Sequence, residues 1–400
     1  MELLSPAGSY EKLKYAIHYG ADAVYTAGKK FGLRAKSLNL TDEELEKAVE
    51  FCHKKGKKIY ITVNIFAHNR HIEELKPYLE FLGQIKPDAL IISDPGIFDL
   101  AKEIVPTLPV HISTQANVTS WRAVRFWQKM GAERVILARE LTFDEIKEIK
   151  DKVPEMELEM FVHGAMCMSY SGRCLLSAFL NGRDANLGDC SQPCRWKYHL
   201  MEEKRPGEFF PIEEDDYGTY ILNSKDLSLI DRLQEIKEAG ISSIKIEGRM
   251  KSIYYVANVV RTYRKALDNI INGISVDSGI YEELDKISHR VYTHGFVDKF
   301  DAMNTQNYQT SSYIRKYQVL GYVSQVTNQG ITVDVRNKFF AGDNIEIIYP
   351  DISKDKKFKV NKIFDDQGNK LDFTKPNTFV YLPLDFKSEP FGILRKKIGG

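Results

Sequence analysis

Four of the five cysteines in this 400-residue chain, Cys167, Cys174, Cys190 and Cys194, lie together with the spacing C-x6-C-x15-C-x3-C. The chemistry such a set supports best is one metal centre bound by several thiolates. Three readings stay open on the residues alone. An iron–sulfur cube tolerates uneven spacing from a loop that wraps it. Structural zinc usually takes two close pairs, and only Cys190 and Cys194 form one. The thiols can also be unliganded. Disulfides fit poorly, because no basic and apolar leader opens the chain and nothing else points to an oxidising compartment. No run approaches the length of a membrane span, so a cytoplasmic protein without a membrane partner is expected. The fifth cysteine, Cys52, sits in a helical run and reads as a small core hydrophobe.

The elements that must carry the cysteines follow from the hydrophobic pattern. Short β-like runs alternate with amphipathic helical runs through the first two-thirds of the chain, with strands expected near residues 2, 24, 60, 90, 110, 135, 160 and 244. Thr41 and Glu44 stand at capping-box spacing ahead of a helix ending at Gly56. Eight β–α alternations fit a TIM-type (β/α)8 barrel, with an open doubly wound sheet as the alternative. The cysteine-rich loop follows strand seven. Residues 199–202 and 219–222 read as one inserted hairpin, with the acidic run 213–216 in its loop, and helices are expected at 229–239, 254–272 and 281–289. Near Tyr317 the pattern turns to period-two alternation with Gly-containing turns, the mark of a small all-β barrel suited to binding. The expected domains are therefore residues 1–305 and 315–400.

Polar residues follow the barrel strands: Ser5, Thr26, Asn64, Asp94, Gln115, Asn117, Arg139, Glu140, His163, Glu247 and Arg249. A closed barrel gathers such positions at its C-terminal face, where active sites lie. Composition adds little. With 56 Lys and Arg against 55 Asp and Glu there is no global signal for nucleic acid, although a local basic patch remains open, with Lys338 and the tail Arg395-Lys396-Lys397 as weak candidates. H-E-x-x-H, G-x-S-x-G, the Walker loop and C-x3-C-x2-C are all absent.

The segments 159–167 (EMFVHGAMC) and 172–177 (GRCLLS) resemble the signature of the peptidase U32 family. LSPAG, YGADAVY, VNIFAHN, ISDPGI, QANVTSW, NSKDL, IKIEGRMKS and HRVYTHGF extend the resemblance along the first 296 residues, and the two-domain form with a C-terminal β domain is similar to the family as well. The family name implies a peptidase, a collagenase-like protease, for which no catalytic constellation is visible here. Better-understood members hydroxylate a nucleobase or ring, which implies an RNA-modifying hydroxylase: 5-hydroxylation of a wobble uridine, tRNA processing without oxygen, and prephenate as co-substrate. The resemblance also implies a 4Fe–4S cluster on Cys167, Cys174, Cys190 and Cys194, the anticodon loop of tRNA as partner, and room for a protein partner of the same family. A metal-stapled, non-catalytic tRNA-binding protein is the other alternative. Within this frame His163, Arg139, Glu247 and Arg249 form the expected catalytic set, and Asn64, Gln115, Asn117 and Lys245 the expected substrate-binding set. Arg139, Arg249 and Lys245 suit carboxylates or a phosphate. The bland reading is that Glu247 pairs with Arg249, that His163 only supports the loop, and that the three amides satisfy one another.

Overall fold

A computed structural model describes residues 1–32, 39–166, 225–276, 278–299 and 313–398, with the backbones of four short strands between 200 and 220. The four clustered cysteines lie outside the described residues.

Eight strands form one parallel sheet: β1 (Glu2–Pro6), β2 (Ala23–Thr26), β3 (Lys58–Val63), β4 (Ala89–Ile92), β5 (Val110–Ile112), β6 (Arg134–Ile136), β7 (Glu157–Ala165) and β8 (Ser243–Ile246). Each pairs with the next, and β8 pairs with both β7 and β1, which closes the barrel. The expected eight strands and the TIM-type architecture are both present, and closure rules out the open sheet. Such strands are buried on both faces, which is why runs such as ALII and KIYITV read as nearly continuous apolar stretches.

Helices α1 (Tyr10–His18), α2 (Asp42–Lys54), α3 (Asn69–Ile85), α4 (Pro95–Ile104), α5 (Trp121–Lys129) and α6 (Phe143–Lys152) cover the outside. The capping box at α2 forms as its spacing predicts: Glu44 N–H donates to Thr41 Oγ1 (3.2 Å), and Thr41 N–H donates to Glu44 Oε2 (2.9 Å). Caps of this kind contribute about 1 kcal/mol each. Cys52 is fully buried in α2, and burial pushes its thiol up to about 12.

The strand β7 is longer than its neighbours and has two sets of partners. Its lower part pairs with β6 and β8, while Ala165, Gly164 and His163 pair antiparallel with a short strand, Asp226–Ser228, that the sequence pattern did not reveal. The β7–β8 register shifts between Phe161 and His163, leaving Val162 as a bulge. Gly164 is required beside it: its φ is +111°, and a Cβ there would lie 2.8 Å from Glu247 Cβ. Gly8 answers a closer approach, since a Cβ would stand 2.0 Å from the Arg249 carbonyl oxygen. Backbone cannot yield as a side chain can, so Gly8→Ala is expected to destabilise by about 2 kcal/mol and to displace the β8 exit loop. A thermal melt unchanged from wild type would show that the two loops do not meet.

The segment from 199 to 222 differs from expectation. Leu200–Met201 pairs with Phe209–Phe210, and Glu213–Asp215 pairs with Gly218–Tyr220, so there are two small hairpins rather than one wide one. Glu213–Asp215, expected in a loop, form a strand instead. Short closures cost less chain entropy than one long closure. The helical run 229–239 divides into a single 3-10 turn and α7 (Leu233–Glu238), followed by α8 (Ile253–Ile271) and α9 (Ser278–Leu284).

From Tyr317 the chain forms an eight-stranded antiparallel sheet with its own core around Leu320, Val333, Ile347 and Leu394. Its edge strands Lys356–Lys359 and Lys370–Leu371 are tied together through one connector: Gly342 N–H donates to the Val360 carbonyl and Ala341 N–H to the Asp372 carbonyl. The sheet thereby curls into the small barrel expected. It packs on α1 and α8. Tyr19 donates to the Phe391 carbonyl (2.8 Å), and Ile348 and Ile393 join the core of the large barrel. α8 is buried along most of its length, and its buried polar residues are hydrogen-bonded, Asn258 to the Glu283 carbonyl and Arg261 to the Tyr349 carbonyl.

Candidate active site at the barrel mouth

Period-two alternation places Ser243, Lys245, Glu247 and Arg249 on one face of β8 and its extension, and the partners of Lys245 and Arg249 show that this face is the barrel interior. At the bottom, Arg134 donates to Glu2 (2.7 Å), Glu157 (2.7 Å) and Glu159 (3.1 Å), while Tyr60 and Ser243 donate to Glu2 at 2.6 and 2.8 Å. One layer higher, Lys245 Nζ meets Glu159 Oε1 at 2.8 Å and stands over the Tyr25 ring at 4.4 Å. Burial would raise the Glu2 carboxyl, but Arg134, Tyr60 and Ser243 together hold it below its usual value. Burial pulls Lys245 down, and Glu159 only partly opposes this. Lys245 is therefore the counter-ion of Glu159 inside the barrel rather than a cation presented to substrate. The sequence showed these charges but not their pairing, since Glu159 and Lys245 are 86 residues apart.

At the mouth, Arg139 lies over the Phe161 ring (4.0 Å) and donates through Nη1 to the Ala165 carbonyl at 2.9 Å. Its Nε is buried without a hydrogen-bond partner among the described residues. The neighbouring Glu140 is half-buried, and burial raises its carboxyl above the usual range. Arg249 is buried, donating to Asn39 Oδ1 (2.7 Å) and Thr62 Oγ1 (3.2 Å). Asn64 Nδ2 donates to Gln115 Oε1 at 2.9 Å, and the Asn64 carbonyl accepts from Ser93. Two of the three expected amides thus meet. Asn117 is separate: in the left-handed region (φ 52°) it ends the turn Thr114–Ala116 by donating its N–H to the Thr114 carbonyl. Glu247 receives the Tyr255 hydroxyl on its carbonyl and lies against Gly164.

His163 departs furthest from its expected place. The Val162 bulge turns it out of the barrel and into a cage of Tyr255, Tyr263 and Tyr292, with ring centroids 5.9, 5.5 and 5.5 Å away. Tyr263 donates to the Val162 carbonyl (2.8 Å) and stands 3.4 Å from His163 Nδ1. Burial, helped by His289 and Lys251, drives His163 down to about 3, so the ring is neutral at ordinary pH. This geometry fits a residue that supports the end of β7 rather than a proton donor. His289, stacked on Tyr292 at 4.3 Å, belongs to the same aromatic packing. The tail candidate Arg395 is also placed otherwise than expected. It is buried between the domains, and Lys396 pairs with Asp343 at 2.6 Å.

A closed parallel barrel whose C-terminal mouth combines a guanidinium, a bonded amide pair and the end of the strand that leads toward Cys167 defines a TIM-type barrel protein with its site at the strand ends. The chain belongs to peptidase family U32: residues 8–307 match that family, and residues 315–395 match the peptidase family U32 C-terminal domain. It is 41% identical over 401 residues to tRNA hydroxylation protein P1 of Bacillus subtilis strain 168, covering 99% of this chain and 94% of that one. It is 41% identical over 394 residues to tRNA hydroxylation protein P of Escherichia coli strain K12, covering 87% and 86%. It is also 38% identical over 271 residues to a 23S rRNA 5-hydroxycytidine synthase of the same organism, covering 68% of this chain and 40% of that one. No described helix is long and apolar enough to cross a membrane.

Proposed function

We propose that this protein is an RNA-modifying hydroxylase that converts the wobble uridine of tRNA to 5-hydroxyuridine by an oxygen-independent, prephenate-dependent route. Relatives that cover nearly the whole chain and are named for tRNA hydroxylation support the reading. The observation that carries it is the position of β7, which ends at Ala165 under the Arg139 guanidinium, two residues before Cys167. Four thiolates are a donor set suited to a 4Fe–4S cluster, so Cys167, Cys174, Cys190 and Cys194 are its proposed ligands. Bound there, the cluster would supply electron transfer or Lewis acidity.

The chain's own residues hold and orient. Arg139 takes the anion, a prephenate carboxylate or a tRNA phosphate, on the part of its fork that Ala165 does not occupy. Arg249, fixed by Asn39 and Thr62, sets positive potential at the mouth, and Glu247 lies beside it. The Asn64–Gln115 pair faces the uracil edge, because amides can both donate and accept. An anticodon loop is single-stranded, so its base enters without the cost of opening a duplex. The peptidase reading is favoured by relatives named as a protease and a collagenase, but these cover less of the chain than the tRNA hydroxylation relatives do. Among the described residues no histidine ring bonds a serine, threonine or cysteine side chain.

Mass spectrometry of tRNA nucleosides from a deletion strain should show loss of hydroxyuridine-type nucleosides, restored by pure protein, tRNA and prephenate. Unchanged nucleosides would reject the proposal. In the restored system, Arg139→Ala should raise KM for the carboxylate co-substrate about 10- to 100-fold, the loss expected for a charge-assisted bond. Arg139→Lys should recover only part, and an unchanged KM would remove Arg139 from this role.

A further inference from the structure

The C-terminal barrel carries an exposed aromatic face that nothing in the mouth chemistry uses. Phe340, Phe373 and Phe379 are 46%, 39% and 55% exposed, on a domain that has a sufficient core without them. Phe340 and Phe373 meet across the connector that closes the sheet, with ring centroids 5.9 Å apart. Lys338 Nζ stands 4.0 Å from the Phe373 centroid and 4.7 Å from that of Phe340. Beside them runs an open groove of about 1030 Å³ whose walls include Phe373, Phe379, Thr332, Gln325, Lys370 and Lys375.

Charge distinguishes the possible occupants. Residues 313–398 hold 15 Lys and Arg against 10 Asp and Glu, although the whole chain is almost neutral at +1. The remainder of the chain is therefore net acidic, and the positive charge collects on this domain. Val360, bonded to the same connector, is flanked by exposed Lys359 and Lys362. Some acids nearby are engaged: Asp343 pairs with Lys396, and Asp365 accepts from the amides of Gln367 and Asn369. Asp366 and Asp372 also line the groove, where they suit the amino edges of bases rather than phosphates. Exposed rings interleaved with lysines are the elements of single-stranded nucleic-acid binding, in which bases stack and cations follow the backbone.

We propose that the Phe340–Phe373–Phe379 face is a docking platform for unpaired nucleotides of the RNA substrate, with Lys338 and Lys375 on its phosphates. This rests on the reading of the protein as an RNA hydroxylase and adds a second contact, remote from the reacting base. Such a platform lowers KM for RNA and leaves the chemical step at the mouth unaltered.

The test measures tRNA binding and steady-state hydroxylation with the full chain. Phe340→Ser combined with Phe373→Ser should weaken tRNA binding at least about tenfold, as loss of stacking would, and raise KM for tRNA with kcat retained. Lys338→Gln removes no apolar packing and keeps the test decisive should the double variant unfold. It should reduce the salt dependence of log K by about 0.7–0.9, the release of one counterion. Wild-type binding and KM in both variants would overturn the platform while leaving the hydroxylase reading intact. A wild-type protein that neither binds nor modifies tRNA would overturn both. Altered self-association on sedimentation, with tRNA binding unchanged, would assign the face to contact between copies and overturn the proposal.

Discussion

Serine at any one of Cys167, Cys174, Cys190 or Cys194 is expected to leave a protein that has lost most of its iron and the broad visible absorbance of a cluster, with hydroxylation lowered by at least about a hundredfold. The size follows from what a ligand does. Even partners that only orient metal ligands contribute 10- to 100-fold, and a cube held by four thiolates has no spare donor. The fifth cysteine provides the control. Cys52 is fully buried within α2, far from ionising, and Cys52→Ala removes a sulfur from the core without touching the clustered set. It should therefore retain iron and activity at a cost of about 1 kcal/mol in stability. Iron and sulfide analysis of anaerobically purified protein, beside tRNA nucleoside analysis, checks both halves. Full iron in all four serine variants would reject the cluster assignment, and zinc in place of iron in the wild type would revive the rival reading of the spacing.

The second large effect is expected far from the mouth, where the two domains meet. Glu283 on α9 is buried and bonds Arg261 of α8, Arg395 of the C-terminal barrel (3.0 Å) and Lys286. Arg261 also reaches Asp355 (2.9 Å) and the Tyr349 carbonyl, while Arg395 reaches Glu346 (2.8 Å). Removing one partner of a buried pair leaves the others uncompensated, so Glu283→Ala should destabilise by about 3–5 kcal/mol. A simultaneous loss at both arginines is the reason to expect the upper part of that range. Glu283→Gln keeps the shape and should cost less. Denaturant unfolding of the full chain measures both, and a Glu283→Ala midpoint equal to wild type would show that the network does not hold the domains.

The same carboxyl sets a pH dependence. Burial alone would raise Glu283, but Arg261 and Arg395, with Lys286, hold it down to about 2. Its folded value is therefore below the unfolded one, near 4.5. The stability it contributes is present above that unfolded value and is lost as pH falls from about 4.5 toward 2. Asp355 behaves oppositely: burial raises it despite Arg261, so it gives part of that loss back. Wild type should lose stability through this acid window more steeply than Glu283→Gln, which cannot titrate at that position.

The local elements of this protein were legible because each depends on near neighbours. Runs such as KIYITV, and Thr41 placed three residues before Glu44, specify a strand and a helix start wherever they are placed. Eight such strands alternating with helices leave few topologies open. What the tertiary structure alone decided concerns partners distant along the chain. Lys245 reads as a cation near a barrel mouth until closure of β8 on β7 sets it against Glu159. His163 reads as a mouth residue until one extra residue, Val162, reverses its face, a change of register that composition does not encode. Arg395 reads as a basic tail until the small barrel docks on α8 and buries it against Glu283. In each case the residue type fixed a charge or a ring, but the field around it came from groups on other elements. Those distances, and with them its protonation and its role, exist only once the barrel has closed.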